Sequence, residues 1–80
     1  MKNIIERLAP AMENVNKAGT CEHVVAILET VPKQKQIEAA MKFSSQFVQL
    51  ATMYKSFVDA VPEAVEVAQD NIALEASFLD

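Results

Sequence analysis

Only one of the 80 residues is cysteine, one is glycine and one is histidine, and tryptophan is missing. The lone Cys21 excludes an internal disulfide. With His23 as the sole imidazole there are too few soft ligands for a structural zinc site. A single glycine leaves few places for left-handed corners, which speaks for long helices and few tight turns. No apolar run approaches the roughly 20 residues of a membrane span. The opening MKNIIERLAPAM carries Glu6 and Arg7 inside its apolar segment, unlike a signal peptide. Together with the unpaired thiol, these features place the expected location in the cytoplasm.

Catalytic sets are equally scarce. There is no glycine-rich phosphate loop, no Glu-x-x-His motif, and only one histidine to serve a Ser–His–Asp arrangement. Cys21 and His23 stand two residues apart, about 200° around a helix, and cannot form a nucleophile–base pair. An enzyme is not expected, nor a cofactor or a metal.

Basic residues are missing from the last 25 residues. Residues 1–55 hold seven basic and five acidic side chains, whereas residues 56–80 hold six acidic and none basic. That asymmetry argues against direct nucleic-acid binding through a basic face.

What the chain does have is apolar content, 51% of its residues, which excludes disorder. Its plentiful Ala, Glu, Lys, Gln and Met indicate an all-α protein. We expect one domain over residues 1–80, a small bundle of three to four helices. So short a chain buries only about 60–65% of its surface, and a second copy would supplement the core.

Four helices are expected, over residues 3–17, 21–30, 32–59 and 61–78. Asn3 and Glu6 fit a capping box at the first, and Pro10 kinks it or delays its start. Gly19 suits a left-handed C-terminal cap, Thr20 an N-cap, and Pro32 and Pro62 the first turns of the helices they open. The third helix is the dominant feature. Ile37, Ala40, Ser44, Phe47, Ala51, Tyr54, Val58 and Val61 make a heptad seam, with Phe43, Leu50 and Phe57 beside it. Straight, residues 33–60 would span about 42 Å, longer than a compact 80-residue globule. The helix must break or be covered by a second copy. The weak breakers SSQ (44–46) and Gln49 favour the second, so a homodimer with one long central helix is expected. Phe43, Phe47, Leu50, Tyr54 and Phe57 would form its dimer or partner face. Whether the third and fourth helices form a hairpin or a kinked continuation stays open.

On the fourth helix Val61, Val65, Ala68, Ile72, Ala76 and Leu79 share a core face. Asp59, Glu63, Glu66 and Asp70 cluster on the opposite side. One reading is a solvated face that keeps an apolar protein soluble; the other is a docking stripe for a partner with a basic surface. Lys33 and Lys35 stand at a helix start, where the macrodipole disfavours cations, and await acids from elsewhere in this chain or from another. The functional expectation is a small, non-catalytic, intracellular protein that acts stoichiometrically on a larger protein partner, in the manner of inhibitors, counter-defence factors and antitoxins. The alternative is a scaffolding or assembly-chaperone subunit that builds a helical oligomer.

Overall fold

The computed structural model describes residues 3–79, the last two without their side chains. Among them the chain forms α1 (Ile4–Met12), α2 (Thr20–Leu28), α3 (Lys33–Lys42), α4 (Ser44–Met53), α5 (Lys55–Ala60) and α6 (Pro62–Leu79), and no strand. The all-helical bundle is as expected, with more and shorter helices.

The first expected helix ends early. Asn3 caps α1 through its side-chain oxygen, which accepts from the Glu6 N–H at 2.9 Å. Past Met12 the backbone makes three successive turn bonds: Asn14 to Ala11, Lys17 to Asn14 and Thr20 to Lys17. Val15 is still buried there, so its apolar signal belongs to a turn and not to a helix face. Gly19, at φ 86°, starts α2 instead of closing α1. No Cβ would be stable at that angle without strain.

The long central helix is not found. The structure divides residues 33–60 at Phe43 (φ −116°, ψ 44°) and at Tyr54 (φ −134°, ψ 115°). The longest extent of the molecule is 37 Å, shorter than the straight helix would be. At Phe43 the reason is visible. Interrupting a helix orphans its last carbonyls. Here the Ser44 hydroxyl lies 2.9 Å from the Ala40 carbonyl and 3.1 Å from that of Met41, and the Asn71 amide reaches the Met41 carbonyl at 3.4 Å. The same amide donates to Ser44 Oγ at 2.6 Å, so the corner is fastened to α6.

These contacts also set the topology. Lys33 meets Glu63 and Met41 meets Asn71, and both pairs are 30 residues apart. α3 and α6 therefore run parallel. α4 starts beside Asn71 and feeds through α5 to the start of α6, so it returns antiparallel to them. In place of either a simple hairpin or a kinked continuation of the third and fourth expected helices, the chain follows this three-limbed path.

One core unites all six helices. Leu8, Val24, Leu28, Phe47, Leu50 and Phe57 are completely buried, together with Ala39, Ala40 and Ala68. The rings of Phe47 and Phe57 meet edge to face, with centroids 5.3 Å apart. That geometry suits their quadrupoles. Small side chains on α3 and α6 let these two backbones approach closely, since Ala39, Ala40, Ala64 and Ala68 are each at most 1% exposed.

Candidate functional site

α6 begins at Pro62, whose missing N–H costs nothing at a first helical position. Glu63 follows in the first turn, where the positive end of the macrodipole favours it. The inner face buries Ala64, Val65 and Ala68 against the bundle, with Val61 at the corner before them. This fixes the rotation of the helix, and Glu63, Glu66, Asp70 and Glu75 are exposed as a result. The expected core face holds as far as Ala68. Ile72 is half-buried and Ala76 exposed. The Leu79 side chain and Asp80 lie outside the described residues. Leu74 is 59% exposed, one turn beyond Asp70 and next to the acidic row. Asp59 is also exposed, but it belongs to α5, and the corner at Val61 separates it from the α6 row.

One of these acids is already engaged. Lys33 Nζ lies 2.7 Å from Glu63 Oε1, and Lys35 Nζ lies 3.2 Å from Glu38 Oε2. The compensation for cations at the start of α3 is thus intramolecular. Glu66, Asp70 and Asp59 have no ion pair among the described residues. What α6 offers is a carboxylate row with an apolar side chain at its end, able to hold cations and a small hydrophobic contact.

The proposed apolar face lies elsewhere. Phe47, Leu50 and Phe57 are completely buried in the chain's own core, and Phe43 and Tyr54 are half-buried. In this conformation those residues offer little to a partner. Sequence periodicity identified them as apolar rows, but it could not say that α6 would cover them. Two working residues carried no sequence signal: Asn71, and Gln36, whose amide donates to the Leu28 carbonyl at 2.8 Å and closes α2. Asn71 stands out only as a polar residue on the flank of the Ala68–Ile72 core face.

Cys21 and His23 point apart. Cys21 is buried, with Sγ 4.0 Å from Ser56 Oγ, whereas His23 is exposed. Burial pushes the thiol above its ordinary pKa, and Glu22 adds to this, against a lowering by Ser56. A shallow cleft of about 250 Å³ borders Cys21, lined by Glu22, Val25, Ala26, Glu29 and Ser56. A wider one of about 540 Å³ lies over the α1–α2 turn, beside Pro10, Lys17, Gly19 and His23. Among the described residues no three His, Cys, Asp or Glu side chains gather closely enough to hold a metal, and no helix is long and apolar enough to cross a membrane.

No family model, curated protein or solved structure matches this chain.

Proposed function

We propose that the protein is a small, non-catalytic, intracellular interaction protein that docks on a larger protein through the acidic face of α6. The observation that carries this reading is the exposed row Glu63, Glu66 and Asp70, extended by the exposed Leu74, on a helix without a single cation. Like charges spaced three and four residues apart repel mildly, and a basic partner surface relieves that repulsion. The partner presents Lys or Arg side chains to the row and an apolar pocket to Leu74. Action is stoichiometric, as in inhibitors, counter-defence factors and antitoxins, and takes place in the cytoplasm. The protein works as a homodimer.

The test is affinity capture from the native host cell with the wild-type chain and with the Glu66→Lys, Asp70→Lys double variant. Glu63 is left intact because reversing it would set two cations beside each other. A partner retained by the wild type and lost by the double variant supports the docking role. Capture that is equal in both would exclude it.

A further inference from the structure

Three corners interrupt the path from Lys33 to Leu79, and each is held differently. At Phe43 the orphaned carbonyls of α3 are taken by Ser44 and Asn71. At Val61 the following Pro62 disfavours helical backbone locally. Tyr54 has neither device. It is not glycine, no proline follows it, and its residue type is compatible with a helix. Among the described residues no backbone or side-chain donor reaches the carbonyls of Ala51, Thr52 or Met53. Thr52 and Met53 are exposed.

A helical Tyr54 would restore the missing backbone bonds and join α4 to α5 over residues 44–60. That is the continuation the heptad seam encodes. The same rotation would lift α5 and α6 away from the bundle. Phe57, Val61, Ala64, Val65 and Ala68, now at most 4% exposed, would lose their cover. So would the face of α3 and α4 that they leave. One surface fits both halves without redesign: the complementary half of an identical chain.

We propose that two copies exchange residues 55–79 about Tyr54, giving a domain-swapped dimer in which each α6 lies on the α3 and α4 of its partner. This gives the homodimer of the preceding section a mechanism and rests on that dimer, but not on the docking role. Contacts between residues 3–54 and 55–79 of the closed chain, the Lys33–Glu63 pair included, are remade between copies, and only the hinge differs. Such exchange is a low-cost route to a dimer. It also reconciles a sequence written for one long helix with a chain able to fold back on itself.

Lys55→Pro tests the hinge selectively. Tyr54 already has the extended angles that a residue before proline adopts, and Lys55 opens α5, where a missing N–H is tolerated. The closed monomer therefore accepts the substitution, whereas a helix running through residues 54 and 55 does not. The dimer dissociation constant, measured by sedimentation equilibrium, should rise by about a hundredfold or more. A second measurement leaves the hinge native. Chains carrying Lys33→Cys and chains carrying Glu63→Cys, each with Cys21→Ala, are refolded together and treated with a short bismaleimide. A cross-link between the two different chains is expected, because positions 33 and 63 would face each other only across copies. A dimer that survives Lys55→Pro and gives no such cross-link overturns the exchange and leaves the homodimer standing. A chain that remains monomeric at high micromolar concentration overturns both.

Discussion

Lys33 Nζ and Glu63 Oε1 lie 2.7 Å apart, and this contact joins the starts of α3 and α6. It repeats the 30-residue offset seen one helix length later between Met41 and Asn71. The two helices are thus in parallel register along their shared length, with α4 as the return limb.

The pair reports register more than it stabilises. Both side chains are more than half exposed, and such ion pairs contribute about 0.2–1 kcal/mol. A double-mutant cycle with Lys33→Ala and Glu63→Ala, read by urea denaturation, should give a coupling energy in that range. It should shrink as salt is added.

The Phe43 corner should be more sensitive. Asn71→Ala removes the amide that binds Ser44 Oγ and the Met41 carbonyl, and leaves the partly buried Ser44 Oγ without its donor. A loss of about 1–3 kcal/mol is expected. Ser44→Ala should fall in the same range, and the two should be clearly non-additive because they share one network. Full additivity would mean that the corner is held by packing alone.

Residues Phe47, Leu50 and Phe57 test where the apolar rows lie. As completely buried side chains they should each cost about 2–5 kcal/mol on truncation to alanine. A domain of this size has only about 4–12 kcal/mol in total. Phe47→Ala should therefore lower the thermal midpoint sharply or leave the chain unfolded by circular dichroism. A small effect would place Phe47 on a surface instead.

Cys21 sets a pH dependence. Its thiol titrates higher in the folded chain than in the unfolded one, mainly through burial. The folded state thus holds this proton more tightly. The associated stability is fully present below the unfolded pKa of about 8.5 and declines as pH rises towards the folded value. The difference in urea midpoint between wild type and Cys21→Ala should be constant from pH 6 to 8, and the wild type should lose ground above that. Alkylation of the native thiol should be slower than that of an unfolded control.

Composition and periodicity were enough to read the helical class, the burial of Val61, Val65 and Ala68, and the outward turn of Glu63, Glu66 and Asp70. Each of these follows from helical geometry within one segment. The corners were not legible, because their causes are remote in sequence. Phe43 is held open by an asparagine 28 positions away. Asn71 and Ser44 look like ordinary helix residues until the fold brings them together. Lys33 and Lys35 were visible as anomalies, but locating their acids required the register of α3 against α6.

The docking role is tested most directly by the salt dependence of partner binding. With the captured partner, dissociation constants are measured from 0.1 to 1 M salt for the wild type and for Glu66→Lys, Asp70→Lys. Screening shortens the Debye length from about 10 Å to about 3 Å over that range. The expected result is wild-type affinity that falls steeply with salt, and a variant that binds at least tenfold more weakly at low salt with a flatter profile. Tight binding that ignores both salt and the charge reversal would contradict the acidic face of α6 as the point of contact.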